Sequence, residues 1–334
     1  MKDTKTMMAA VVSGPGTIEV RELPEPAVGP YEARCRMLFG TVCPGTDTHL
    51  LHGDPPFSDW VTYPLILGHE STGEVTHVGG KVRHLSPGDH VTRVGATATG
   101  DVSSGWGGFA TVGVALDHRA MKEDGVDPSQ WQEHTRQVVL PGDVAPEAAC
   151  LFVTWRETLS YLTRLGVAGR SVLVVGSGVN GLSLATHARH LGAASVAMIG
   201  NPARADLATK LGVDTFHDYR AAPPTGRADV VLDVIGTRAT ADLAASLVAP
   251  GGTIGRYGLD AADVTLPVGD HAEFTDGYDE AEAHEQVLRL YRAGTLDAAD
   301  WIDVASPYPL ARIADAMADV AARKVLKPLI DLRA

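Results

Sequence analysis

The stretch Gly176-Ser177-Gly178-Val179-Asn180-Gly181 has the residue types and spacing to cradle a pyrophosphate. In such a loop the first glycine permits a tight turn and the second lets the backbone approach the phosphates. The third lets helix and strand pack closely. The pattern signifies dinucleotide binding only when a strand leads in and a helix leads out. Val172-Leu173-Val174-Val175 precedes it, too short for a helix and β-branched enough for a buried parallel strand. Residues 182–191 follow and read as a helix stopped by Gly192. The N-terminus of that helix would turn its N–H groups and positive dipole end toward the phosphates. Ser177, Val179 and Asn180 are therefore candidate cofactor contacts along with the three glycines. Without its flanks the same loop would be an ordinary glycine-rich turn.

The strand after this unit runs out through Met198-Ile199-Gly200-Asn201-Pro202-Ala203-Arg204. NAD sites place an acid at this point to hold the adenosine ribose hydroxyls. Gly200 stands in its place and removes the charge that would repel a 2′-phosphate. Arg204 can pair with such a phosphate bidentately. The expected cofactor is NADP(H), with Gly200, Asn201, Arg204, Ile235, Gly236 and Tyr257 as further contacts.

These residues need a scaffold, and the pattern around them supplies one. Strands are expected at 195–199 and 230–235, helices at 204–211 and 240–248. Pro250-Gly251-Gly252 then turns into residues 253–258. Strands alternating with helices imply an α/β fold with a doubly wound parallel sheet. Residues before about 152 read as mostly β, and helical spacing begins near Thr158-Leu159-Ser160-Tyr161-Leu162. Helices are expected at 280–291 and 310–322. Residues 325–332 read as a strand returning to the first domain.

A chain of 334 residues can hold two cores. Its net charge of −13 argues against nucleic acid or an anionic membrane as a partner. No run of about 18 apolar residues exists, and Met1-Lys2-Asp3-Thr4-Lys5-Thr6 leads into no signal-like segment. Cys35, Cys43 and Cys150 are too few and too odd in number for a disulfide framework. A cytoplasmic protein with a small-molecule substrate is expected.

Gly68-His69-Glu70, Pro87-Gly88-Asp89, Gly107-Gly108-Phe109-Ala110, the glycine loop and Pro250-Gly251-Gly252 are the remaining motifs. In this order the chain resembles the medium-chain dehydrogenase/reductase superfamily. Gly45-Thr46-Asp47-Thr48-His49 points within it to the zinc alcohol, polyol and sugar dehydrogenases. The resemblance implies a GroES-like β-rich catalytic domain, residues 1–153 and 299–334, and a Rossmann domain, residues 154–298. It also implies a zinc ion that polarises the alcohol oxygen, and a homodimer or homotetramer.

The residue roles that follow come from the resemblance. His69 matches one zinc ligand. At the second position, counting back from Thr46 gives Pro44, which cannot bind metal; Cys43 serves if the loop is re-routed. At the third, Glu157 is the expected substitute, with Glu70 behind it or as an alternate ligand. Metal loss, leaving His69 and Glu70 as a polar pair, stays open. No cysteine lies between Asp89 and Gly113, so the four-cysteine lobe of some relatives is absent. Thr46 would hold the reacting oxygen, His49 would take up its proton, and Asp47 would orient His69. Thr158 would sit beside the nicotinamide and Lys327 would neutralise the pyrophosphate.

Arg156 is open to two uses, a substrate contact or an ion pair with Glu157 or another acid. His52, Trp60 and Trp106 could line a pocket or simply pack. The acidic run 276–285 reads as a solvated helix start. The expected function is NADP(H)-dependent interconversion of a secondary alcohol, polyol, cyclitol or sugar-like, with its ketone. Two alternatives stand beside it: a zinc-free reductase of activated double bonds, and a nucleotide-responsive binding protein without catalysis.

Overall fold

In the computed structural model, which describes residues 5–258 and 264–333, the chain divides into two compact units. Met1–Val153 and Leu296–Ala334 form one; Thr154–Thr295 forms the other. Residues 1–4, which open the stretch read as lacking a signal, lie outside the described residues. Among the described residues no helix is long and apolar enough to cross a membrane.

The strand Thr6–Gly14 shows how the first unit is built. Ala10 and Val12 join a core with Cys35, Met37, Leu67 and Phe109. Met7, Ala9 and Val11 join another with Leu23, Ile66 and Ala110. Successive side chains of a strand point to opposite faces, so a strand that feeds two cores needs an almost unbroken apolar run. It pairs antiparallel with Thr17–Pro24 in a four-stranded sheet.

A seven-stranded sheet carries the candidate centre. In it Glu32–Thr41 lies between Glu70–Val78 and Leu329–Asp331, antiparallel to both. The register puts Thr41 opposite Glu70 on one side and Leu329 on the other. The tail thus returns as expected, but pairs only over Leu329–Asp331.

The second unit is a six-stranded parallel sheet, ordered Thr215–Asp218, Ser195–Gly200, Ser171–Val175, Ala228–Asp233, Val248–Arg256, His271–Phe274. The two outermost strands are absent from the sequence reading. Both are short and half-solvated, so they lack the apolar run that marks a buried strand. The turn expected at Pro250-Gly251-Gly252 falls inside the strand Val248–Arg256. The helix expected to start at Thr158 starts at Leu151. Leu151-Phe152-Val153 are wholly buried, so the stretch shows no polar face from which to read a period.

Arg156 and Glu280, both in this unit, resolve one open reading. Arg156 Nη2 donates to Glu280 Oε2 at 2.8 Å, and neither side chain meets solvent appreciably. The acid it pairs with here is Glu280. Within 276–285, read as a solvated helix start, a helix does begin at Glu280, but Glu280 itself is buried. Removing one member of a buried pair leaves the other charge stranded, at a cost of about 3–5 kcal/mol. Arg156→Ala should therefore lower the urea midpoint of unfolding markedly. A midpoint equal to the wild type would contradict this account of the pair.

Candidate metal centre and cofactor cradle

The centre starts from a turn. Glu32–Thr41 runs through Val42 to Cys43, and the short helix Thr46–His52 begins after Gly45. Asp47 closes this turn on itself. Its Oδ2 accepts the Cys43 N–H at 2.8 Å, and its own N–H donates to the Cys43 carbonyl at 3.2 Å. That is the re-routing Cys43 needs once Pro44 intervenes. Asp47 Oδ1 meets His69 Nδ1 at 3.1 Å. With Nδ1 as the donor, Nε2 keeps the lone pair that a metal requires. One buried carboxylate thus positions both Cys43 and His69.

His69 sits between Gly68 and Glu70, where the loop before the strand Glu70–Val78 is fastened to the 107–110 segment. The Gly108 N–H donates to Gly68 O at 2.7 Å and the Phe109 N–H to Leu67 O at 2.9 Å. Two motifs far apart in sequence therefore form one backbone junction. Glu70 Oε2 accepts from Thr41 Oγ1 at 2.6 Å and is also paired with Lys327.

Burial shapes the charges here. It opposes protonation of His69, but the Asp47 carboxylate and its hydrogen bond, together with Cys43, outweigh that and hold the ring well above its ordinary value. For Glu70, burial would raise the carboxyl. Lys327 first, then His69, overcome it and hold Glu70 ionised below its usual range. Lys327 is held charged in turn, Glu70 outweighing the burial that would neutralise it.

The ligand atoms of Cys43, His69 and Glu70, all buried, lie within 4.8 Å of one another. Tetrahedral zinc with bonds of about 2.0–2.3 Å sets its ligand atoms roughly 3.3–3.8 Å apart. A thiol, an imidazole and a carboxylate at this spacing therefore fit the ion with small closure. Glu70 supplies the carboxylate of this group; Glu157, the expected third ligand, is not a member of it. Glu157 belongs to the other unit, where Tyr257 Oη lies 3.5 Å from its Oε2.

Thr46 and His49 share the helix Thr46–His52, one turn apart and so on one face. Both are half-buried. The Thr46 hydroxyl has no hydrogen-bond partner among the described residues. His52 is exposed and turns back to the Thr48 carbonyl at 2.9 Å.

In the second unit the three glycines of the loop do three different jobs. Gly176 has φ +120°, a turn conformation open to glycine. A Cβ on Gly178 would meet nothing within 4 Å, so its backbone lies open to an approaching group. A Cβ on Gly181 would lie 2.0 Å from the Gly176 carbonyl oxygen, so the helix could not seat against the loop. The helix Val179–His190 starts at Gly178 with no side-chain cap, leaving its first N–H groups for a ligand.

Gly200 is excluded from carrying an acid by geometry as well as by charge. A Cβ there would fall 2.4 Å from Ser177 Cβ and Oγ, and Ser177 Oγ accepts the Asn201 N–H at 2.8 Å. The Arg204 side chain has no hydrogen-bond or ion-pair partner among the described residues. Partial burial lowers its guanidinium from the ordinary value, with no acid to offset it. At the end of the next strand, Asp233 Oδ1 accepts the Ile235 and Gly236 N–H groups at 3.1 and 2.9 Å. Tyr257 donates its N–H to the Asp233 carbonyl at 2.8 Å.

Two expected cofactor contacts have partners inside the protein. Thr158 is fully buried, its hydroxyl 2.7 Å from both the Thr154 carbonyl and Ser183 Oγ. Lys327 is buried against Glu70 rather than presented to a pyrophosphate. The register explains it: Lys327 lies two residues before Leu329, which pairs with Thr41, itself opposite Glu70. Thr41 is the site residue the sequence reading misses. Its only signal is a threonine inside the apolar run Leu38-Phe39-Gly40-Thr41-Val42.

A family model described as the alcohol dehydrogenase GroES-like domain matches residues 29–126, and one described as zinc-binding dehydrogenase matches residues 180–275. Among curated proteins, an L-threonine 3-dehydrogenase of Rhizobium etli is 29% identical over 225 residues, covering 64% of this chain and 62% of its own. The chain thus spans a little under two thirds of the first curated relatives it matches. A sorbitol dehydrogenase of Ovis aries is 28% identical over 274 residues, covering 80% and 76%. The fold is shared with a candidate zinc-binding dehydrogenase of Sinorhizobium meliloti 1021 solved bound to NADP. Its TM-score is 0.80 at 22% identity, over 98% of this chain and 99% of that one. With both domain models matched in order over more than half its length, the chain belongs to the zinc-type alcohol dehydrogenases of the medium-chain dehydrogenase/reductase superfamily.

Proposed function

We propose that the protein oxidises a secondary alcohol to its ketone, and runs the reverse reduction, with NADP(H) as hydride carrier and zinc held by Cys43, His69 and Glu70. The observation that carries this reading is the Asp47-centred turn, which brings Cys43 to His69 and Glu70 and sets Thr46 and His49 beside them in sequence. Zinc, when bound, supplies Lewis-acid polarisation of the alcohol oxygen. The 176–181 loop with Gly200, Asn201 and Arg204 would hold NADP(H), which would supply the hydride acceptor. The chain's own residues handle the proton that must leave the hydroxyl. Thr46 Oγ1 accepts the alcohol O–H hydrogen bond and orients it, and His49 on the same helix face takes the proton up. The names of the relatives, for L-threonine and sorbitol, favour a secondary carbinol as the reacting group. Assembly as a homodimer or homotetramer and a cytoplasmic location remain part of the proposal.

The choice of NADP(H) rests on Gly200, Asn201 and the unpartnered Arg204. Arg204→Ala should reduce kcat/KM for NADP⁺ by about 10–100-fold, the loss of a charge-assisted pair. Turnover with NAD⁺ should change little. Equal loss with both cofactors would remove Arg204 from discrimination.

The reaction class is tested by offering secondary alcohols with NADP⁺ and enones with NADPH. Turnover of alcohols is expected. Turnover confined to enones would replace this reading with reduction of activated double bonds.

A further inference from the structure

Of the five tryptophans, Trp155 and Trp301 are buried, whereas Trp60 and Trp106 are exposed at 46% and 40%. These two exposed indoles touch. Their ring centroids lie 5.5 Å apart at 87°. Phe57 meets Trp60 edge-on at 5.6 Å and Trp106 at 6.3 Å. The cluster ends on the chemistry: Trp106 lies 5.5 Å from the His69 ring, and Phe57 lies 6.3 Å from the His49 ring. Trp106 also has φ +66°, a left-handed conformation that a bulky residue adopts only when its surroundings impose it. An apolar patch left in water beside candidate catalytic groups is the kind of surface that receives a ligand.

We infer that Trp60 and Trp106 receive an aromatic substituent on the alcohol, so that the substrate class is aryl-bearing secondary alcohols rather than polyols. The inference rests on the proposed alcohol chemistry and specifies the body of the molecule that undergoes it. Perpendicular indoles leave ring faces and edges for another flat ring, the arrangement aromatic groups prefer. A polyol set against the same rings would exchange water for surfaces that accept no hydrogen bond and donate only through an indole N–H. Buried hydroxyls without partners are costly. A site built to hold polyols would instead converge hydroxyls, amides or carboxylates on the substrate. The charged groups around His69, namely Asp47, Glu70 and Lys327, are already committed to one another or to Cys43, His69 and Thr41.

The test uses benzamide, a flat ketone analogue that cannot be reduced by hydride transfer from the cofactor, on the zinc- and NADPH-loaded full chain. Its Kd is measured by saturation-transfer NMR for wild type, Trp60→Ala, Trp106→Ala and the matching Phe variants. Both tryptophans are exposed, and circular dichroism melts verify that each variant is folded. Binding should weaken about tenfold or more in the Ala variants and recover in the Phe variants, which keep a flat ring. Turnover of 1-phenylethanol, sorbitol and L-threonine is measured in parallel. 1-Phenylethanol should have the highest kcat/KM, and each Ala variant should act mainly through KM. Benzamide that does not bind, or binds all variants alike, would overturn the inference. So would higher kcat/KM with sorbitol or L-threonine, which leaves the alcohol reading intact. Variant-sensitive benzamide binding without oxidation of any alcohol supports the aromatic subsite while the alcohol reading falls.

Discussion

His69→Ala is expected to lose zinc and turnover together. Among the three candidate ligands His69 is the one held by Asp47 through its side chain, with Nε2 left to bind metal. Without the ring, Cys43 and Glu70 remain, and Glu70 is already paired with Lys327 and Thr41. Two ligands do not make a zinc site of useful affinity. Lewis-acid stabilisation of the developing alkoxide is worth several kcal/mol, so turnover should fall by about 10³-fold or more. Zinc content measured by emission spectroscopy should fall to background, while NADP⁺ binding, which depends on residues of the other unit, should be retained. A variant with wild-type zinc and turnover would remove His69 from the centre. Cys43→Ser should act in the same direction more mildly, since the hydroxyl is a poorer ligand than the thiolate.

Thr46→Ala tests the proton path separately from the metal. The Thr46 hydroxyl has no hydrogen-bond partner among the described residues, so its loss breaks no side-chain hydrogen bond there. General acid–base assistance is typically worth about 10²–10⁴ in rate, and kcat should fall within that range. Zinc content and cofactor affinity should stay near the wild type. Thr46→Ser, which keeps the hydroxyl, should restore most of the rate. Full turnover in Thr46→Ala would mean that the alcohol proton leaves by another route.

The parts of this picture legible in the sequence are those where chemistry and backbone requirement coincide. The glycine loop fixes its own geometry: Gly176 needs a positive φ, and Gly181 needs the absence of a side chain against Gly176. Gly200 is legible twice, as a missing charge and as a missing Cβ beside Ser177. His69 is legible as a candidate because its neighbours repeat a family motif. Glu157, the third ligand the resemblance implied, lies in the nucleotide unit and is not in the group formed by Cys43 and His69. Glu70 lies in the other unit, next to His69 itself, and joins Cys43 and His69 in one group. Lys327 and Thr41 became neighbours of Glu70 only through strand register, which reading 325–332 as a returning strand does not disclose. Arg156 shows the same limit. Its partner lies 124 residues away, and no local pattern joins them.

The central claim, that zinc held by Cys43, His69 and Glu70 supports alcohol oxidation, is tested most directly on the unmodified protein. Zinc per chain and turnover of 1-phenylethanol with NADP⁺ are measured together, before chelation, after chelation and after zinc is restored. The account predicts about one zinc per chain, loss of turnover as zinc is withdrawn, and recovery when it returns. Undiminished turnover in protein stripped of zinc would contradict it.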